Sequence, residues 1–233
     1  MIKYMSVVLG VSLLLTGCAA KNEKVENTEL DVPKKIEQET PGQDVGFWVP
    51  EPIPSDLQEK MIGKSMIENG EVSFDNLRVI NVHHCDYQGQ DKDGVIVVNE
   101  KVADEVSDIF KELYEKRYPI EKIGLIDDYD ANDVASMVAN NTSSFCFRYI
   151  EGTKKISKHG YGLAIDINPK CNPQVTKGKV YPSTSDRYAD RELEEIGMIK
   201  KGDDCYNAFI SRGWTWGGDW NSTKDYQHFE KDV

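Results

Sequence analysis

Two hydrophobic periods interleave along residues 77–167, and that mixture constrains the fold of this chain more than any other feature. Leu77 to Val82 and Val95 to Val98 are β-branched, apolar runs that predict strands. Asn99 then caps a helix in which Val102, Val106, Ile109, Phe110, Leu113 and Tyr114 recur at helical spacing, with Pro119 beyond its end. Ile120 to Ile126 predicts a strand. Asp130 to Ala139 predicts a helix whose acidic first turn suits the helix dipole. Phe145 to Ile150, Gly162 to Ile167 and Tyr226 to Glu230 are the remaining strand candidates. Asp56 to Ile62 and Tyr206 to Arg212 are short helices, the second closed by Gly213. Helices and strands mix without a regular βαβ alternation, so the expected class is α+β, a small mixed or antiparallel sheet with flanking helices. There is no internal repeat and no glycine-rich phosphate loop.

The first 46 residues read differently. Lys3 precedes an apolar run from Val7 to Leu15 that is too short to span a bilayer. It ends on Leu15-Thr16-Gly17-Cys18, which resembles the bacterial lipobox. That resemblance implies a signal peptide over 1–17, lipidation of Cys18, and an extracytoplasmic protein held to a membrane by its lipid. Residues 18–46 are rich in Lys, Glu, Asn, Asp, Gln and Pro and read as a flexible tether. The domain is expected to occupy 47–233, starting at Phe47-Trp48.

Net charge is −12. Without residues 1–17, whose one charged side chain is Lys3, 27 basic side chains face 40 acidic ones, a net of −13. Such a chain lacks the basic footprint of a nucleic-acid binder and must catch any anionic wall polymer at a localised site. Beyond Cys18 the cysteines are Cys85, Cys146, Cys171 and Cys205. Outside a cell disulfides persist, and Cys171–Cys205 is the favoured pair, with buried free thiols as the alternative. His83-His84-Cys85 reads as structural, because neighbours on a strand face opposite ways and do not readily share one ion.

Chemistry concentrates in two segments. In the first, Ser157-Lys158-His159-Gly160-Tyr161-Gly162-Leu163-Ala164-Ile165-Asp166, apolar Leu163, Ile165 and Ile167 alternate with Ala164, Asp166 and Asn168. His159 sits in a glycine-flanked loop from which its ring can turn towards Asp166. The second runs Gly213-Trp214-Thr215-Trp216-Gly217-Gly218-Asp219-Trp220, then Asp225-Tyr226-Gln227-His228-Phe229-Glu230. Two imidazoles and a carboxylate, His159, His228 and Asp166, are a usual catalytic zinc set with one position left for water. A further carboxylate is then wanted to carry that water's proton to a leaving amine, and Asp225 is the candidate. Glu230 shares a face with His228 and could orient it.

The pattern S-x-H-x-x-G-x-A-x-D, followed by D-x-x-H after a G-W-x-W-G-G-x-W block, resembles the D-Ala-D-Ala carboxypeptidase and L-alanyl-D-glutamate peptidase family of zinc metallopeptidases, whose fold is shared with hedgehog proteins. The resemblance extends roughly from Pro52 to the C-terminus and includes Asn140-Asn141-Thr142-Ser143-Ser144-Phe145-Cys146-Phe147-Arg148. It implies zinc on His159, Asp166 and His228, and Asp225 as general base and acid, where several relatives carry glutamate. It implies Arg148 as the cation that polarises the scissile carbonyl. Ser157 and Trp216 are candidate substrate-binding residues. A turn-forming role for Ser157 and core packing for Trp216 are the alternatives, and Trp220 is the other tryptophan that could wall the cleft. The implied activity is cleavage of a peptidoglycan stem peptide by a monomer, as a D-alanyl-D-alanine carboxypeptidase, with an L-alanyl-D-glutamate endopeptidase as the alternative. A non-catalytic zinc-containing wall-binding lipoprotein is the reading from another class; it predicts a damaged base or arginine, and both positions are filled.

Overall fold

The long helix forms where its apolar stripe dictates. In the computed structural model, which describes residues 46–233, the side chain of Asn99 accepts from the Lys101 backbone N–H and starts a 3-10 turn over Glu100–Val102. The helix proper is Ala103–Glu115, and Val106, Ile109, Phe110 and Leu113 are all buried. Each such side chain contributes about 1.5–3 kcal/mol by leaving water.

In chain order the elements are β1 (Glu51–Pro52), α1 (Ser55–Met61), β2 (Leu77–Cys85), β3 (Asp91–Asn99), α2 (Ala103–Glu115), β4 (Lys122–Ile123), α3 (Asp133–Val138) and β5 (Asn141–Thr142). They continue with β6 (Ala164–Asp166), β7 (Gln174–Thr176), β8 (Lys179–Tyr181), α4 (Asp204–Ile210), β9 (Thr215–Trp216), β10 (Thr223–Asp225) and β11 (His228–Glu230). The architecture is α+β. Three small antiparallel sheets run β1-β2-β3, β10-β7-β8 and β6-β11-β9, and β4 pairs with β5 in parallel. One core joins the inner faces of β2 and β3 to α2, α4, Ile165 and Phe229. Among the described residues no helix is long and apolar enough to cross a membrane. The leader over 1–17, Cys18 and the tether up to residue 45 lie outside the described residues.

Several expectations need correction. The apolar run Ile120 to Ile126 is a strand only at Lys122–Ile123, and Ile126–Tyr129 is a 3-10 turn. Ile120, Ile123, Leu125 and Ile126 are nonetheless all buried, so the run reports burial and not extension. Phe145 to Ile150 is not a strand. Phe145, Cys146 and Phe147 donate their N–H groups to Val97, His159 and Ser65 respectively, three separate partners that make no ladder. Conversely, β2 and β3 run further than their apolar cores, because Asp86 accepts from the N–H groups of Gln88 and Gln90 and closes a hairpin turn between polar ends. Cys171 and Cys205 are not joined: all four described cysteines are buried free thiols. Burial pushes the Cys171 thiol up to about 11 and raises Cys146 and Cys205 as well, so these three stay protonated and inert.

Candidate metal centre and cleft

Strand register brings the central residues together. β11 pairs with β6 so that His228 lies directly opposite Asp166. On the other side of β6, Ser143 and Asp166 exchange backbone hydrogen bonds of 3.2 and 2.9 Å, placing Ser144 beside the site. His159 arrives on a 3-10 turn, Lys158–Tyr161, whose first backbone N–H groups are capped by the Ser157 hydroxyl accepting from His159 N–H. Gly162 closes that turn at φ +67°, and a Cβ there would sit 2.6 Å from the Asn99 nitrogen, so only glycine fits.

His159, Asp166 and His228 are all buried and offer ligand atoms within 4.8 Å of one another, the group of this kind found among the described residues. His159 Nδ1–H donates to the Ser144 carbonyl at 2.7 Å, which leaves its Nε2 as a lone pair. His228 is held in the same way through Nε2, 3.1 Å from Glu230 Oε2. The inward atoms are His159 Nε2 and His228 Nδ1 at 3.2 Å, His159 Nε2 and Asp166 Oδ2 at 3.3 Å, and His228 Nδ1 and Asp166 Oδ1 at 3.1 Å. Ligands of a tetrahedral zinc ion, bonded at about 2.0–2.1 Å, stand about 3.3–3.4 Å apart. Lone pairs and a carboxylate gathered so closely repel one another unless a cation lies among them, so the donor set fits a divalent metal. Without a metal, a proton does part of this work. Burial alone would depress His228, but hydrogen bonds to Asp166 and Glu230 outweigh it and hold its pKa up to about 10. Burial would raise Asp166, and the two imidazoles, His159 foremost, instead hold it well below the usual carboxylate range.

Asp225 stands on a different sheet. In the β7–β10 pair it faces Gln174, whose Nε2 donates to Asp225 Oδ2 at 2.7 Å. Its Oδ1 is buried with no hydrogen-bond partner. Burial, seconded by the negative charge of Asp166, raises the Asp225 pKa above the usual range. A base of raised pKa works nearer neutrality than an ordinary aspartate.

A cleft of about 670 Å³ opens over these groups and is lined by Arg148, Ser157, Gln174, Trp220 and Tyr181 besides the central residues. Arg148 reaches it from the segment after β5, 3.4 Å from Asp133 at the start of α3. Its carbonyl accepts from Ser157 N–H, tying the arginine to the turn that carries His159. Ser157 therefore lines the cleft but uses its hydroxyl as a cap. Trp216 does not line it. That ring is 6% exposed, packs in the core against Phe229, and donates Nε1–H to the Tyr226 carbonyl at 2.9 Å. Trp220 takes the place expected for Trp216, 5.4 Å from the His228 ring. His83 and His84 stand outside the centre: His83 pairs with Asp93, and His84 Nδ1 lies 2.7 Å from the Ile120 carbonyl. Sequence reasoning missed Ser144, which acts through its backbone, Gln174, whose pairing with Asp225 depends on strand register, and Asp133, which meets Arg148 only through the packing of α3 against the segment after β5.

A buried His/Asp/His donor set stands with a carboxylate and an arginine along one open cleft, an arrangement that could hold a divalent metal beside a proton acceptor and a cation. Residues 151–231, the stretch that holds His159, Asp166, Asp225 and His228, match the family model described as D-alanyl-D-alanine carboxypeptidase, a similarity that supports a peptidase. No solved structure matches the chain.

Proposed function

We propose that this protein is a zinc-dependent D-alanyl-D-alanine carboxypeptidase of the hedgehog-type metallopeptidase fold, acting on peptidoglycan stem peptides outside the cell as a monomer lipidated at Cys18. The observation that carries the reading is the convergence of His159 Nε2, Asp166 and His228 Nδ1 on one point, with Asp225 beside them in the same cleft. These three residues would hold the zinc ion. Bound there, zinc supplies a Lewis acid and a water activated near neutral pH. Asp225 Oδ1 takes a proton from the attacking water and returns it to the leaving amine. Arg148 is charged at all working pH values and steadies the oxygen on which negative charge develops. Trp220 and Tyr181 wall the cleft.

The test is bound metal and hydrolysis measured together on the full chain, wild type beside His159→Ala. The expected result is about one zinc per chain, release of D-alanine alone from a defined muropeptide, and loss of both in the variant and with chelator. Fragments cut between L-Ala and D-Glu would transfer the assignment to the endopeptidase. Zinc without any cleavage would make the protein a wall-binding module.

A further inference from the structure

We propose that Gln174 is the positioning residue of the reaction: it fixes the Asp225 carboxylate so that Oδ1, and not Oδ2, carries the proton. The inference rests on the peptidase reading above and concerns a residue outside the motifs that led to it. Gln174 and Asp225 are a directly opposed pair in the β7–β10 ladder, and the Nε2···Oδ2 hydrogen bond is 2.7 Å. Both side chains line the cleft. The second Asp225 oxygen is buried and makes no hydrogen bond of good geometry, although the Gln227 side chain stands close to the carboxylate, an arrangement costly in a folded protein unless something arrives to use it. An amide suits this task better than another acid would. It donates to the ionised carboxylate, carries no charge that would hold the proton elsewhere, and cannot compete for it.

The backbone behind Asp225 is fixed independently. Gly217 packs so closely that a Cβ there would lie 2.6 Å from the Asp225 carbonyl oxygen. With the main chain held by Gly217 and one oxygen held by Gln174, the rotation left to the carboxylate is small. In the step itself, water gives a proton to Oδ1 while its oxygen bonds to the scissile carbonyl carbon. The C–N bond then breaks as Oδ1 passes that proton to the leaving nitrogen. One water is consumed, and Asp225 ends ionised, still held by Gln174.

The test is steady-state hydrolysis of a D-Ala-D-Ala-ended muropeptide by the zinc-loaded full chain, comparing wild type, Gln174→Met, Gln174→Ala and Asp225→Ala. Methionine keeps the length of the side chain and removes the donor. Both Gln174 variants are expected to lose at least about tenfold in kcat, with KM, bound zinc and melting midpoint unchanged. Wild-type kcat in Gln174→Met would overturn the proposal, as would kcat, zinc and melting midpoint falling together in both variants, which is the mark of a purely structural residue. A wild type without hydrolysis, or an Asp225→Ala protein with undiminished hydrolysis, would remove the peptidase reading and this inference with it. Loss in Asp225→Ala without loss in Gln174→Met would remove this inference alone.

Discussion

At the scale of single residues the site is an exercise in aiming lone pairs. Each histidine spends one ring nitrogen on a fixed acceptor, the Ser144 carbonyl for His159 and the Glu230 carboxylate for His228, so that the other is delivered inward. Removing the acceptor should loosen the metal without removing a ligand. Glu230→Ala is expected to weaken zinc binding by about 10–100-fold, read by competition with a chromogenic chelator. Asp225 makes a pH prediction. In the metal-free protein burial disfavours its ionised form, so the Asp225 carboxyl, followed by NMR in the apo protein, should stay protonated to a pH above the ordinary aspartate range, and a bound dication should move that titration down. Thiol chemistry is also settled residue by residue. In denaturant without reductant, Cys85, Cys146, Cys171 and Cys205 should all titrate as free thiols, and a value lower by two would restore a disulfide.

At the scale of elements, three-residue strands do what long ones usually do. β6, β7, β10 and β11 are each three residues long, and their registers set His228 against Asp166 and Gln174 against Asp225. A slip of one residue would turn each of these side chains to the opposite face. The 3-10 turn at Gly217–Asp219 presses against β10, and Gly217 permits that approach. Gly217→Ala must push Asp225 aside. We expect a loss of about 1–3 kcal/mol in stability and a fall in kcat, with zinc retained, as measured by thermal unfolding and metal content. Elements also explain where the sequence misled. Periodicity located α2, which buries one face along its length, and β-branched apolar runs located the centres of β2 and β3, where those residues are buried. It failed at Phe145 to Ile150, where Phe145, Cys146 and Phe147 are buried in succession with a different partner for each backbone N–H, while Tyr149 and Ile150 are exposed.

At the scale of the molecule, two sheets and one turn each bring one part of the centre, and the core beneath them is shared with α2 and α4. Leu113 and Phe209 lie wholly in that core, far along the chain from each other. Leu113→Ala should cost about 2–5 kcal/mol in a denaturant melt while leaving the zinc content of the remaining folded protein at its wild-type value. The sequence by itself determined the α+β class, the amphipathic helix and the identity of the metal-ligating and proton-carrying candidates. The first two depend on residue chemistry and periodicity, and the site candidates on the resemblance of two short motifs to a known peptidase family, all of which a linear string carries. Only the tertiary structure decided that Trp220 and not Trp216 faces the cleft, that Cys171 and Cys205 stay apart, and that Gln174 and Ser144 serve the site. Those outcomes depend on strand register and on contacts between residues distant in sequence, and no local pattern of side chains encodes which partner a backbone or an amide will meet.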